Sequence, residues 1–275
     1  MRPIVFLSDY GLGGELVGVC HGVMARIAAG VQVIDLTHSV PRQDVLQGAV
    51  TLARAVRFMP EDAVYLAVVD PGVGSERRPV AVEASSGALL AGPDNGLLSM
   101  AWEALGGTAR AVEIASEDVL LQPVSRTFHG RDVFAPAAAH LAAGLALEAL
   151  GPAVDPGSLR RMDLPGPMVT PGAIGARVVV IDGFGNVQLN VAPEDLEAAG
   201  LRGPLSFGRW TILRAATFAD VPRGALAAIF DSQGFLALVV NHGSAARMLG
   251  LEAGATVRLS RASEADQLPT ARPAQ

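Results

Sequence analysis

Apolar segments and helical patterns alternate over the first 150 residues, and this alternation limits the possible folds more than any other feature. Strands that are apolar throughout are typical of a sheet covered on both faces, and helices between them make such a sheet mostly parallel. The sequence therefore predicts an N-terminal α/β domain, residues 1–150, with a mostly parallel sheet flanked by helices. The predicted strands and helices are Arg2–Ser8, Gly14–Gly30, Val31–Thr37, Gln43–Met59, Asp62–Asp70 and, as the last long helix, Arg131–Leu150.

The composition of the chain changes after residue 150. Residues 151–170 are rich in Pro and Gly without periodicity, which predicts a linker. Residues 171–262 alternate apolar and polar side chains around Gly turns, which predicts a small antiparallel β domain, barrel-like or a sandwich. The polar residues 263–275 are predicted to be a disordered tail.

Composition excludes several classes of protein. Half of the 275 residues are apolar and 17% are charged, which excludes a disordered chain. The net charge of −6 argues against nucleic acid or an anionic membrane as partner. The apolar stretch after Met1 is too short for a signal sequence, and no window of 18 apolar residues predicts a transmembrane helix. With Cys20 as its single cysteine, the chain is expected to be cytoplasmic.

The chain lacks the residues that several kinds of chemistry need. All 21 basic residues are arginine, so Schiff-base chemistry, pyridoxal phosphate anchoring and the P-loop lysine are excluded. His and Cys never occur at HxxxH or CxxC spacing, so no metal site is expected. Catalysis would depend on carboxylate, guanidinium and imidazole groups.

Such groups occur where predicted strands end. Asp9 and Asp70 follow two strands of the predicted parallel sheet, at the edge where such sheets bind ligands. Asp70 begins "DPGVGSERR", which is compatible with a simple turn, and Arg77 and Arg78 follow it. Asp9 either binds ribose hydroxyls or caps the next helix. His129 either enters a helix or faces the ligand crevice, with a pKa near neutrality.

The predicted C-terminal domain carries a second polar cluster. Asp182, Phe184 and Asn186 lie in "IDGFGNV", for which a Gly-rich hairpin is the commoner meaning.

Five motifs taken in order carry more information than any one alone. "FLSDYG", "VVDPGVGSERR", "TFHGRDVFAP", "IDGFGNV" and "DSQGFLALVVNHGSAA" together resemble the S-adenosyl-L-methionine (SAM) hydroxide adenosyltransferases, which are relatives of fluorinases and chlorinases. The similarity runs from about residue 3 to about residue 260. It implies an α/β domain, a C-terminal β domain, and a homotrimer that holds the ligand between one subunit's N-terminal domain and the next subunit's C-terminal domain.

The reaction implied by the resemblance is hydrolysis of SAM to adenosine and L-methionine, with SAM as substrate and no cofactor. The family's catalytic Asp, Arg and His match Asp70, Arg77 and His129. Arg77 would stabilise hydroxide, and Asp70 and His129 would orient the water and take or relay its proton, for in-line attack on ribose C5′. The same matching assigns the ribose hydroxyls to Asp9 and further substrate contacts to Phe128, Asp182, Phe184, Asn186 and Ser232.

Two other functions remain open. A SAM-dependent halogenase is less compatible, because fluorinase has Tyr-Ser in place of His129-Gly130 and a tyrosine in place of Asp70, whose carboxylate repels a halide. A non-catalytic module that binds adenosine or SAM is the third possibility. Arg78 is expected to be only a solvated charge.

Overall fold

The computed structural model describes residues 1–262, so the predicted tail at 263–275 lies outside the described residues. The described chain divides after Asp163 into two compact units, the second of which begins at Leu164. The segment predicted as a linker, 151–170, therefore spans the division between them. The two units are described separately.

The first unit is built on a six-stranded sheet with the order β2-β1-β3-β5-β4-β6. Pairs β1–β2, β1–β3 and β3–β5 are parallel, and β4 is antiparallel to both β5 and β6. This confirms the predicted mostly parallel sheet. The strands are β1 Ile4–Ser8, β2 Val33–Thr37, β3 Val64–Val68, β4 Pro79–Ala84, β5 Leu89–Pro93 and β6 Thr108–Glu113.

Helices cover both faces of this sheet, which explains why its central strands are apolar throughout. Successive side chains of a strand point to opposite faces. Phe6 of β1 packs in the core under α1 and α4, and its neighbour Leu7 packs in the core under α2 and α3. The helices are α1 Leu16–Ile27, α2 Val45–Ala55, α3 Ser99–Ala104 and α4 Ala135–Ala142.

The helix predicted at Arg131–Leu150 is broken in the structure. It begins as a π-helical turn, Gly130–Phe134, continues as α4, and ends before Gly144, whose φ of +101° suits glycine. A 3₁₀ turn, Leu147–Leu150, follows, and another 3₁₀ turn, Val56–Phe58, extends α2.

Residues 151–163, the part of the predicted linker that belongs to the first unit, pack against the rest of that unit. The backbone of Ala153 bridges Val112, and the N–H of Arg160 donates to Asp94 Oδ1 at 2.7 Å. Arg78 Nη2 pairs with Asp94 Oδ2 at 2.6 Å and donates to the carbonyl of Ser158, within the 3₁₀ turn Pro156–Ser158, at 2.9 Å. The prediction that Arg78 is only a solvated charge is therefore wrong, because its guanidinium links this segment to Asp94 at the end of β5.

The second unit contains a closed β-barrel, which confirms the predicted barrel-like domain. Seven strands form the ring β14-β10-β11-β12-β13-β9-β8, closed by the β14–β8 pair, and β7 adds to β8 outside the ring. All pairs are antiparallel except β11–β12. The elements are β7 Met168–Thr170, β8 Ala173–Ile181, β9 Val187–Leu189, α5 Pro193–Ala198, β10 Leu205–Phe207, β11 Trp210–Arg214, a 3₁₀ turn Phe218–Asp220, β12 Leu226–Phe230, β13 Leu236–Val240, α6 Ala245–Leu249 and β14 Thr256–Arg261.

Within residues 1–262, none of the helices has the length and apolar character needed to span a membrane.

Candidate active site

A cavity of about 320 Å³ opens at the carboxyl ends of β1 and β3 in the first unit. This is the edge at which parallel sheets bind ligands. Four of the residues selected from the sequence line it: Asp9, Asp70, Phe128 and His129. Its volume is at the lower end of the range of small-molecule pockets, about 300–1,000 Å³.

Asp70 and Arg77 are the two ends of a tight turn that leaves β3. The N–H of Val73 donates to the Asp70 carbonyl at 3.3 Å, and the N–H of Ser75 donates to the Gly72 carbonyl at 3.1 Å. Gly74 has φ +76°, and a Cβ there would lie 2.4 Å from the carbonyl oxygen of Arg126. A side chain larger than hydrogen at residue 74 would therefore push the turn away from the loop that leads to His129.

Arg77 and Asp70 form a buried, two-pronged ion pair. Nε of Arg77 lies 3.0 Å from Asp70 Oδ1, Nη2 lies 2.5 Å from Oδ2, and both side chains are less than a tenth exposed. The guanidinium also lies 5.1 Å from the centre of the Phe134 ring. Nη1 of Arg77 is buried and has no hydrogen-bond partner among the described residues. A buried donor of this kind is expected to find a partner in a functional state.

His129 joins this pair through the same guanidinium. Nη2 of Arg77 lies 2.8 Å from Nδ1 of His129. Because arginine only donates, Nδ1 must accept, and the proton of the neutral ring is on Nε2. Burial, and then the charge of Arg77, lower the pKa of His129 below its ordinary value. His129 is therefore neutral at pH 7 and can donate from Nε2.

The π-helical turn after His129 is held by Asp132. This carboxylate is buried, accepts from the N–H of Ser125 at 2.8 Å, and pairs with Arg131 at 2.6 Å. The N–H of Asp132 donates to the Phe128 carbonyl at 3.2 Å. Both ends of the loop from Ser125 to Phe128 are therefore anchored, which fixes the position of His129. π-Helical turns are frequent at functional sites.

Asp9 also lines the cavity. Its Oδ2 accepts from the N–H of Gln43 at 2.9 Å, and Gln43 has a φ of +63°, which is uncommon outside glycine. This bond orients the carboxylate while leaving it other acceptor sites for a ligand. No sequence pattern indicates the left-handed backbone at Gln43.

Tyr10 is a cavity residue that the sequence analysis did not single out, although it directly follows Asp9. Its ring packs edge-to-face on Phe128, with centroids 5.7 Å apart. Burial raises the pKa of Tyr10 far above its ordinary value, so the phenol is neutral. A Cβ at Gly130 would lie 1.9 Å from the Tyr10 hydroxyl. Tyr10 thus fills the space that a side chain at residue 130 would need.

The residues selected in the second unit lie in two turns. Asp182 Oδ1 accepts from the N–H groups of Phe184 and Asn186, both at 2.9 Å, and the Asn186 amide donates to Asp182 Oδ2 at 2.8 Å. The Phe184 ring is 82% exposed. Ser232 lies in the separate turn between β12 and β13, which Asp231 organises by accepting from the N–H of Gln233 at 2.8 Å.

Two domain families match the chain. The SAM hydroxide adenosyltransferase N-terminal domain matches residues 4–151, and the SAM hydroxide adenosyltransferase C-terminal domain matches residues 176–258. Together the two matches span most of both units.

Similar proteins cover nearly the whole chain. A protein of Salinispora tropica named (R)-S-adenosyl-L-methionine hydrolase is 50% identical, over 94% of this chain and 97% of its own length. A protein of the same name from Thermus thermophilus is 44% identical, over 94% and 100%. A fluorinase of Actinoplanes is 32% identical, over 95% and 98%. The structure of an uncharacterized conserved protein from Thermotoga maritima superposes with a TM-score of 0.84 at 34% identity, over 94% of this chain and 100% of its own.

Proposed function

The chain belongs to the SAM hydroxide adenosyltransferase family, and from this premise we propose that it hydrolyses SAM to adenosine and L-methionine. Its similar proteins are named hydrolases of the (R) form of SAM, so we propose that epimer as the preferred substrate. Water attacks ribose C5′ in line with the bond to the sulfonium, methionine leaves with the bonding electrons, and one proton is released.

One observation carries this proposal: Arg77 contacts both Asp70 and His129 beside a cavity. The sulfonium leaves readily, so the difficult part is the nucleophile. Deprotonating bulk water at pH 7 spans about 8.7 pK units, or roughly 12 kcal/mol. A fixed guanidinium in a water-poor site reduces that cost by stabilising hydroxide electrostatically.

The hydrogen-bond geometry gives Asp70, Arg77 and His129 different roles. Arg77 has Nη1, a donor without a partner among the described residues, for the oxygen of the nucleophile. His129 gives a second donor, Nε2–H, since its Nδ1 already accepts from Arg77. Asp70 retains lone pairs beyond those that Arg77 uses, so it is the acceptor for the proton of the water. His129 therefore orients the water rather than removing its proton.

The remaining residues position the substrate. Asp9 binds the ribose hydroxyls and fixes C5′ against the nucleophile, a contribution that accounts for a large part of many rate enhancements. Phe128 and Tyr10 line the cavity, and we propose that they contact the ribose. Charge is neutralised as hydroxide approaches the sulfonium, so the apolar wall formed by Val68 and Val73 favours the transition state.

We also propose that the protein is a homotrimer in which Asp182, Phe184, Asn186 and Ser232 of one subunit complete the site of the next. The exposed ring of Phe184 supports this, because it lies beside Asp182 and Asn186 and is free to contact a ligand or a neighbouring subunit. Light scattering gives the subunit number. Co-expression of His129→Ala with Phe184→Ala chains tests sharing at SAM concentrations well below KM. Mixed trimers would regain some sites with the wild-type KM, whereas equal mixtures of separate trimers would show only the raised KM of Phe184→Ala.

Incubation with purified (R)- and (S)-SAM tests the proposed reaction, with products separated by chromatography. We expect adenosine and methionine in equal amounts, formed faster from the (R) epimer. Adenine or homocysteine as products would contradict attack on C5′. We propose that no cofactor takes part, so turnover should persist after dialysis against a chelator. We further propose a cytoplasmic location, which cell fractionation can test.

Two alternative functions are distinguished by the same assay. A halogenase would form 5′-halo-adenosine when chloride or fluoride is supplied, but a buried carboxylate at Asp70 disfavours a halide beside it. A non-catalytic binding protein would retain SAM without products at every pH.

A further inference from the structure

Three side chains with metal-binding atoms converge at the end of β2, outside the set of residues that lines the cavity. His21 comes from α1, Asp35 from β2, and His38 from the loop that follows β2. Their ligand atoms all lie within 4.8 Å of one another. Asp35 Oδ1 is shared, at 2.8 Å from His21 Nε2 and 3.1 Å from His38 Nε2.

The contact between His38 Nε2 and Asp35 Oδ1 is an ion-pair contact of 3.1 Å whose geometry falls short of a full hydrogen bond. His38 Nε2 is buried and has no hydrogen-bond partner among the described residues, despite the 3.1 Å separation. The His38 side chain is only 2% exposed, so water does not easily replace the missing partner. A buried nitrogen whose one polar neighbour is held in this poor geometry is a candidate for a better partner.

We propose that His21, Asp35 and His38 form a binding site for a divalent transition-metal ion, with Zn²⁺ as the best match. Two imidazole nitrogens and one carboxylate oxygen are a donor set that Zn²⁺ and its neighbours in the first transition row prefer. Adjacent ligand atoms in a tetrahedral Zn²⁺ site lie about 3.3 Å apart, given bond lengths of about 2.0–2.1 Å. The observed separations of 2.8 and 3.1 Å need to open by a few tenths of an ångström, and the two imidazole nitrogens, which lie within 4.8 Å of each other, need to approach the same value.

The surroundings of His38 match the second shell of a metal site. Its other ring nitrogen, Nδ1, lies 2.8 Å from Ser8 Oγ. The ring also packs edge-on against Phe6, with centroids 4.6 Å apart. A hydrogen bond at the second nitrogen and packing on the ring are how metal-binding histidines are held in one orientation. Nε2 is thereby directed at the shared oxygen of Asp35.

The ion can reach this site from solvent. The side chains of His21 and Asp35 are 34% and 44% exposed, so ion and water have access on that side. Three protein ligands leave a fourth position for water. The Gly11 N–H donates to the His38 carbonyl at 2.7 Å, so metal binding would also stiffen the loop that carries Asp9 and Tyr10.

The proposed site escaped the sequence analysis because its ligands come from three elements. His21 lies within α1 and Asp35 within β2, 14 residues later, and no short-range pattern such as HxxxH joins them. Only parallel pairing of β1 with β2, and packing of α1 above them, brings the three together.

The test uses the full chain without a histidine tag, stripped with a chelator and titrated with Zn²⁺ by calorimetry and with Co²⁺ by visible absorption. We expect one ion per chain, a Co²⁺ spectrum typical of nitrogen and oxygen ligands, and a higher melting temperature with Zn²⁺. The His21→Ala and Asp35→Asn variants remove exposed ligands and should fold. Each should weaken binding at least about 100-fold, the upper end of what loss of an outer-shell partner alone costs.

His140→Gln, on α4 and outside the cluster, is the matched control and should bind like the wild type. The proposal is overturned if folded wild-type protein binds no ion, or if His21→Ala binds as tightly as wild type. The cluster would then be only a hydrogen-bonded network. Neither outcome bears on SAM hydrolysis, which is assayed separately in chelator-treated protein.

Discussion

The polar group around Arg77 in the first unit and the polar group around Asp182 in the second unit differ in how far along the chain their hydrogen bonds reach. In the first unit, Arg77 bonds to Asp70, seven residues away, and to His129, 52 residues away, and the group is largely buried. In the second unit, Asp182 bonds to residues two and four positions away at an exposed turn. The first arrangement exists only in the folded chain and is costly to disturb. The second is satisfied locally and leaves Phe184 free to meet a partner.

This difference predicts that substitutions in the first group alter chemistry or stability, whereas those in the second group alter binding alone. Arg77→Lys should have the largest effect, because lysine keeps the charge but loses the planar donors that reach both partners. We expect kcat at saturating SAM to fall at least about 100-fold. Arg78→Lys is the control, since its ion pair with Asp94 lies outside the cavity residues, and should retain kcat. A fall in kcat of twofold or less for Arg77→Lys would contradict this difference between the two groups.

The pH dependence should report the neutral state of His129. Its folded pKa is lowered, so the ring stays neutral at pH 7, and protonation would place a second positive charge beside Arg77. We expect kcat/KM to be level above about pH 6.5, the ordinary histidine pKa, and then to fall up to about tenfold per pH unit in more acidic buffer.

The stability of the fold should also decrease as the pH is lowered. A histidine with a lowered folded pKa contributes stability above its unfolded pKa, and that contribution is lost as pH falls through the folded pKa. The His129→Gln variant should lose this part of the dependence of melting temperature on pH. His140, whose pKa burial also lowers, is the control, because His140→Gln should change the stability profile but not the rate profile. Equal rate profiles for wild type and His129→Gln would contradict the assignment.

Gly130→Ala should destabilise the first unit by about 1–3 kcal/mol, because its methyl group meets the Tyr10 hydroxyl. Urea unfolding measures this change. Combining Gly130→Ala with Tyr10→Leu should restore part of the lost stability. Gly18→Ala, where a Cβ meets nothing within 4 Å, is the control. Full stability of Gly130→Ala would show that the two residues do not compete for space.

Phe184→Ala should have the smallest effect and should separate binding from chemistry. Its exposed ring predicts a change in unfolding free energy within about 0.5 kcal/mol. Loss of an aromatic contact worth about 1 kcal/mol should raise KM roughly fivefold with kcat unchanged. Phe218→Ala, at another exposed phenylalanine of the same unit, should change neither value. A fall in kcat for Phe184→Ala would mean that the second group takes part in catalysis.

The sequence predicted the features that depend on short-range patterns. Continuous apolar strands such as Ile4–Ser8 and Val64–Val68 indicated the parallel sheet, and alternation around glycine turns indicated the barrel. Motif order predicted the family, and the matched domains confirm it. These features follow from local hydrophobic period and residue type.

Features that depend on tertiary contacts were not predictable in this way. The pairing of Arg78 with Asp94 joins residues 16 apart, and the steric fit of Tyr10 with Gly130 joins residues far apart in the chain. The tautomer of His129 follows only from the position of the Arg77 guanidinium. Residue types alone do not determine such contacts, because the same residues could equally be solvated.

The proposed function depends above all on attack of water at C5′ of SAM. Hydrolysis in ¹⁸O-labelled water, followed by mass spectrometry of the products, tests it most directly. One ¹⁸O atom is expected in the 5′-hydroxyl of adenosine and none in methionine. Adenosine without the label, or label in a product derived from methionine, would contradict it.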